Sequence, residues 1–417
     1  LSVLFAPLLL LSDSAAAAAF APRDHYLIKC GFHGDGAVID SDNRVFTADD
    51  YRFIRNLKTV VDIRSADSNL VSSPLYRTAR AFRSSGAFVF PLKDRGVHHL
   101  VRLHFYPTEG SLFESEFHVF GNGFLLLANF RIPRRTDLLP MIKEFIIPPI
   151  SDVLRISFVP SKPGLLSFVN AIEVISAPAD LIPDSAQFID VDKNERINGL
   201  LRSGFETVYR INVGGFKITP FNDTLWRTWL TDDEFLISGK TSESIHFSAP
   251  IQYRIGGPSK EVSPDGVYNT ARVIRSSSSS TSVPTRSMTW SFPVEQGQHP
   301  YMARLHFCDI ASIALDTLYF NVRINGNPAY TNLDLSTITG RQLASPFYAD
   351  FVVDTKNTTT TSSRLTVTVG GPSDMSLPGS VDAILNGIEI FKMMNSGGGE
   401  SRSDRRNNKV IIIFSGL

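Results

Sequence analysis

The chain has 417 residues with 41 basic and 41 acidic side chains, so its formal net charge is zero. A neutral chain has no general electrostatic attraction for polyanions, which excludes nucleic acid as the expected main partner. The length corresponds to two or three domains, and an apolar fraction of 43% lets each of them bury a core of its own.

Residues 1–20 begin with an uncharged, mostly apolar run, Leu1 to Leu11, and continue into the small residues Ala15 to Ala19. This pattern predicts a secretory signal peptide, with a truncated start because neither an initiator Met nor a basic segment precedes it. From residue 24 to 177, period-two alternation between turn residues predicts a run of strands. They are Tyr26 to Cys30, Tyr76 to Arg83, Ala87 to Pro91, Leu100 to Phe105, Glu116 to Phe120, Phe124 to Phe130, Lys143 to Ile147, Val153 to Val159 and Leu166 to Ile175. Gly31 to Gly36 reads as a loop, because a phosphate cradle needs a helix after its glycines and no helical pattern follows. Strands at this spacing with turns between them predict an antiparallel β-sandwich.

Residues 178–204 are the expected linker, since Pro178, Pro183 and the charged run Asp190 to Arg196 carry neither period. A second domain is predicted over 205–394, with Ser276 to Ser282 as a hairpin tip. Residues 395–409 form a Gly/Ser/Arg-rich stalk, and 410–417 read as the start of a transmembrane helix, too short to span a bilayer by itself.

The two domains are copies. Arg102-Leu103-His104-Phe105 recurs as Arg304-Leu305-His306-Phe307, and Leu75 to Arg80 as Val267 to Arg272. Tyr26 to Gly31 recurs as Tyr209 to Gly214, and Phe168 to Ile175 as Ile384 to Phe391. The blocks keep one order, and the unit is too long for a solenoid repeat, so a whole sandwich has been duplicated.

Chemistry-bearing motifs are sparse. The acidic pairs Asp49-Asp50 and Asp232-Asp233-Glu234 suit solvated turns better than glycoside hydrolysis, which needs two carboxyls facing each other across a cleft. No nucleophile-elbow or zincin pattern occurs, so neither catalysis nor a cofactor is expected. His104 and His306 share one repeat position within a strand, which favours a scaffold role over a metal site. Asp42 with Arg44, and Asp223 with Arg227, are expected ion pairs tying the first loop of each domain. Cys30 and Cys308 either form one disulfide between the domains or are both buried thiols. Asn222-Asp223-Thr224 and Asn357-Thr358-Thr359 are glycosylation sequons. Arg131, Arg134 and Arg135 in a proline-containing loop, and Arg402, Arg405 and Arg406 in the stalk, are the candidate ligand contacts, because guanidinium groups capture carboxylates bidentately.

Tyr26 to Gly31, Tyr76 to Arg80, Arg102 to Phe105, Phe168 to Val174, Leu181 to Asp184, Phe205 to Arg210, Asn222 to Leu225 and Arg304 to Ile310 together resemble a family. It is the tandem malectin-like ectodomain of plant receptor kinases of the FERONIA, THESEUS and ANXUR group, and within it THESEUS and its relatives most. The resemblance spans about residues 24 to 394. It implies an all-β fold of two jelly-roll-like sandwiches on the outer face of the plasma membrane, with a kinase outside this chain. It further implies a secreted peptide ligand of the rapid-alkalinisation-factor class, a GPI-anchored co-receptor, and pectin as a further partner; a lectin-like module for acidic wall polysaccharide is the rival expectation. The disaccharide site of malectin does not carry over. Its tyrosine falls on Ala81 and Val273, and its Tyr-Phe pair near Glu109-Gly110 and Ala311-Ser312, which removes the aromatic platforms for a sugar ring.

Overall fold

The computed structural model describes residues 20–394 except 33, 35, 66–72, 134–138, 150, 191–193, 240–241, 276–286, 296–298, 355–363 and 371–380. The expected stalk and membrane segment, and all of the expected leader but Phe20, lie outside the described residues. Each domain is a sandwich of two main sheets with the same strand order. In the first domain one sheet runs Met141–Ile147, His99–Phe105, Ala171–Ser176, His25–Lys29, and the other Phe124–Phe130, Phe117–Gly121, Val153–Pro160, Gly86–Pro91, Ile54–Arg55. The second domain repeats this as Pro346–Val353, Tyr301–Cys308, Gly387–Met394, Gly204–Asn212, with Asn327–Asp334, Tyr319–Ile324, Arg364–Gly370, Ser287–Pro293, Leu236–Ser238 opposite. Leu103 faces Ile172 across the ladder, and Leu305 faces Ile388, so the repeated blocks occupy equivalent places.

Alternation explains the cores. Val101, Leu103 and Phe105 point into one apolar cluster with Phe88, Phe117 and Phe158; Ala303, Leu305 and Phe307 point into its counterpart with Trp290, Phe320 and Val367. Gly31 and Gly214 show why the first strand of each copy ends in glycine. Both have positive φ, and an added Cβ would lie 2.2 Å from Ala79 O or 2.3 Å from Ala271 O, so only glycine fits.

Two predicted strands differ from the sequence reading for local reasons. Tyr76 belongs to a 3-10 turn, Pro74–Tyr76, with proline at its start and Ser73 as its cap, so the strand begins at Thr78. The strand expected over Leu166 to Ile175 breaks at Asn170, whose side chain donates to Thr78 O at 2.9 Å and accepts from Tyr106 N at 2.6 Å. Asn386 does the same, bonding Thr270 O at 2.8 Å and Cys308 N at 2.7 Å.

The connector is built into the fold. Ser185–Ile189 lies parallel to Pro346–Val353 and forms a hairpin with Asn194–Asn198. It covers the edge of the second domain that corresponds to the edge of the first domain occupied by Gly204–Asn212. An edge left open would offer unpaired N–H and C=O groups to other chains. Cys30 and Cys308 are free and buried, Cys30 in the first domain's core and Cys308 beside Ile251 and Tyr268 in the second, so the bridge alternative is corrected: sandwich formation places the thiols in separate packed regions.

Candidate functional site: the seam between the domains

The two sandwiches share one sheet. Glu144, Phe145 and Ile146 of Met141–Ile147 pair antiparallel with Thr207, Glu206 and Phe205 of Gly204–Asn212, which makes a continuous 13-stranded sheet across the boundary. Apolar packing accompanies it: Leu100, Ile146 and Ile175 of the first domain, Leu181 and Ile182 of the connector, and Phe205, Met302 and Phe391 of the second form one cluster.

A buried ionic chain crosses the same line. Arg102 donates to Glu144 at 2.6 Å and to Glu173 at 2.8 Å; Arg210 donates to Glu144 and to Glu389, each at 2.7 Å. Burial works against ionisation of Glu144, but Arg210 and Arg102 outweigh it and hold the carboxyl well below the usual range. Glu173 and Glu389 are held low in the same way, chiefly by Arg102 and Arg210 respectively against the effect of burial. Each copy adds a relay: Tyr76 Oη lies 2.9 Å from His104 Nδ1, whose Nε2 lies 2.8 Å from Glu173, while Tyr268, His306 and Glu389 repeat it at 3.1 Å and 3.1 Å. His104 and His306 are thus used by tyrosine and glutamate partners within each sheet, and no cluster of metal-ligating side chains occurs among the described residues.

Above this chain lies a cleft of about 560 Å³ lined from both sides. The first domain supplies His25, Leu27, Asn43, Arg44, Val45 and Thr47; the second supplies Pro220, Phe221 and Trp226. Phe221 is 70% exposed, and Trp226 is held in a left-handed conformation at φ 56° while packing on Leu27, Phe46 and Tyr76. Arg44 reaches from the rim to Glu173 at 2.9 Å. A second concavity, about 590 Å³, lies between the connector hairpin and the second domain and is lined by Gln187, Glu195, Arg196, Phe347 and Asp350.

The residues singled out from sequence fall in different places. Arg131 is exposed and pairs with Glu116; Arg134, Arg135, Arg402, Arg405, Arg406 and Asn357 lie outside the described residues. Asn222 is exposed and follows Phe221, which lines the cleft. The Asp223–Arg227 pair forms at 2.9 Å, but Arg44 pairs with Asp40 at 2.8 Å and not with Asp42, because Asp40 Oδ1 also accepts the Asp42 and Arg44 N–H groups and closes the turn. The acidic clusters are occupied: Asp49 binds Arg80 and Gly31 N, Asp232 binds Arg272, Trp290 and Gly214 N, and Asp50 binds Arg52. Ala81 and Val273, at the expected sugar-platform positions, are core residues. Reading by blocks passed over Arg210, which stands where Leu27 stands in the first copy; a charge inside a strand where the copy carries leucine was the available signal.

Residues 28–393 match the malectin-like domain family. The chain belongs to that family. Its relatives include a probable receptor-like protein kinase of Arabidopsis thaliana, 39% identical over 99% of this chain and 49% of the relative. The receptor-like protein kinase THESEUS 1 of the same plant is 34% identical over 92% of this chain and 44% of the relative. Among solved structures, the extracellular domain of Arabidopsis ANXUR2 superposes with a TM-score of 0.76 at 27% identity, covering 89% of this chain and 96% of the other. The receptor-like kinase FER, in a structure with the plant peptide RALF23 and LLG2, has a TM-score of 0.72 at 28% identity over 91% and 97% of the two chains. This malectin-like chain spans about half the length of the curated relatives it matches. The tandem malectin-like fold therefore belongs to the ectodomain portion of FERONIA-, THESEUS- and ANXUR-type receptor kinases.

Proposed function

We propose that this chain is the extracellular ligand-recognition region of a plant cell-wall-sensing receptor kinase, and that it binds a secreted peptide of the rapid-alkalinisation-factor type together with a GPI-anchored co-receptor. The observation that carries the reading is the likeness, at 28% identity over nearly the whole ectodomain, to FER in its complex with RALF23 and LLG2. The shared sheet and the buried ionic chain support it, because a platform that does not flex at the domain boundary holds two partners in register without losing ordering entropy on binding. Asp49 and Asp232 are buried and paired with Arg80 and Arg272, and Asp50 and Asp233 pair with Arg52 and Arg272, which favours recognition over chemistry.

The test immobilises the full chain and titrates it with a rapid-alkalinisation-factor peptide, with an LLG-type co-receptor, with both together, and separately with galacturonan oligomers at two salt concentrations. Saturable binding that requires peptide and co-receptor together supports the reading. Binding of galacturonan alone, falling steeply with salt, replaces it with the lectin-like one.

A further inference from the structure

The Asn222-Asp223-Thr224 sequon follows directly on Phe221, which lines the cleft between the domains. Pro220–Asn222 is a 3-10 turn with proline in its first position, and Phe221 of that turn lines the cleft. Asp223, the middle residue of Asn222-Asp223-Thr224, is pinned inward. Its carboxylate accepts from Leu225 N at 2.8 Å, Arg227 Nε at 2.9 Å and Trp229 Nε1 at 3.0 Å. With Asp223 buried, Asn222 and Thr224 on either side face solvent. Asn222 is therefore exposed directly after Phe221, whose ring is 70% exposed and lines the cleft with Trp226.

We propose that Asn222 carries an N-linked glycan whose first sugars lie over Phe221 and close the mouth of the interdomain cleft. The inference rests on the extracellular reading, since the donor is a lipid-pyrophosphate-linked oligosaccharide of the secretory lumen. The Asn222 side-chain nitrogen bonds to the anomeric carbon of the first N-acetylglucosamine and gives up one proton. The bond from that carbon to the pyrophosphate oxygen breaks, and the lipid pyrophosphate leaves with the electron pair. The apolar face of the bound sugar ring removes the Phe221 ring from water, which accounts for a large aromatic exposed at a domain boundary. A cleft filled by the chain's own glycan is a structural seam, so the peptide reads another face.

Trp226 makes this measurable, because of the three tryptophans Trp229 and Trp290 are fully buried and only Trp226 is partly accessible. The chain is expressed through a eukaryotic secretory route, and the tryptic peptide Ile218 to Arg227 is mapped by mass before and after peptide N-glycosidase, which leaves aspartate at 222 wherever a glycan was attached. Collisional quenching of tryptophan fluorescence by acrylamide is then compared for the glycosylated chain, the enzymatically deglycosylated chain, Thr224→Ala and Asn357→Gln. The expected result is a glycan on the peptide and an increase of about twofold in the quenching constant on deglycosylation and in Thr224→Ala, with no change in Asn357→Gln. An unmodified peptide overturns the proposal, and so does a glycosylated peptide whose removal leaves quenching unchanged. Neither outcome bears on the peptide titration above, which is read through the co-receptor and not at Trp226.

Discussion

Arg210 and Glu144 belong to different domains and meet at 2.7 Å inside the seam, 66 residues apart in the chain. Arg210 also holds Glu389 at 2.7 Å, so one guanidinium neutralises a carboxylate from each copy. Removing it leaves two buried acids short of a partner, and breaking such a pair costs about 3 kcal/mol or more. Arg210→Leu, which installs the first copy's residue, is expected to lower the unfolding free energy by that amount in urea titrations followed by fluorescence. A change below about 1 kcal/mol would show that the shared strands hold the domains without the ionic chain.

His98 predicts an acid-side weakness. Burial, followed by the neighbouring His99, lowers its pKa from 6.5 to about 4, partly offset by a hydrogen bond with the backbone of Leu201 in the connector. The folded state keeps the ring neutral while the unfolded chain takes up a proton, so stability is complete above 6.5 and is lost as pH falls from there toward 4. Stability should fall by on the order of 1 kcal/mol between neutrality and about pH 5.5. Urea midpoints against pH check this, with His98→Gln expected to flatten the profile. A variant that keeps the full slope would assign it elsewhere.

Glu144, Glu173 and Glu389 add to the same acid-side loss in a lower pH window. Their folded pKa values lie well below the unfolded carboxylate value of 4.5, so their contribution is complete above 4.5 and is lost progressively as pH falls from there toward the folded values. Glu389→Gln should therefore bring the acid-unfolding midpoint up toward neutrality. An unmoved midpoint counts against a charged Glu389 in the fold.

The two thiols should be silent. Burial raises the pKa of Cys30 and of Cys308, and thiolate, not thiol, attacks disulfide reagents. Ellman's reagent is expected to titrate neither cysteine in the native chain and both in denaturant. Reaction at native pH would mean that one of the cores opens.

Lys29 is 4% exposed, with its ammonium 4.3 Å from the centre of the Phe32 ring. Burial lowers its pKa, and the nearby Arg77 and Arg64 lower it further. An apolar chain of similar length keeps the packing and removes the desolvated charge, so Lys29→Met should stabilise the chain by about 1 kcal/mol. Thermal unfolding reads the sign directly, and a lower midpoint would show that the ring contact outweighs the desolvation.

Much of the fold was legible in particular residues. Leu103 and Leu305 announced equivalent strands because alternation repeats over adjacent residues and needs no distant partner. Tyr76 and Asn170 were misread as strand interior because their roles depend on hydrogen bonds to groups far along the chain, Tyr76 to His104 and Asn170 to Thr78. The connector gave no period of its own, since Ser185–Ile189 becomes a strand only where Pro346–Val353 offers an edge.

The duplication, the all-β character and the family follow from local pattern and recurrence, which a chain carries in its residue order whatever its partners. The seam does not. That Glu144 meets Arg210, and that Phe221 and Trp226 line a cleft with Leu27, depend on how two sandwiches dock. Docking is set by one shared strand pair, an apolar cluster drawn from both domains and a handful of buried charges, whose energies are summed only in three dimensions.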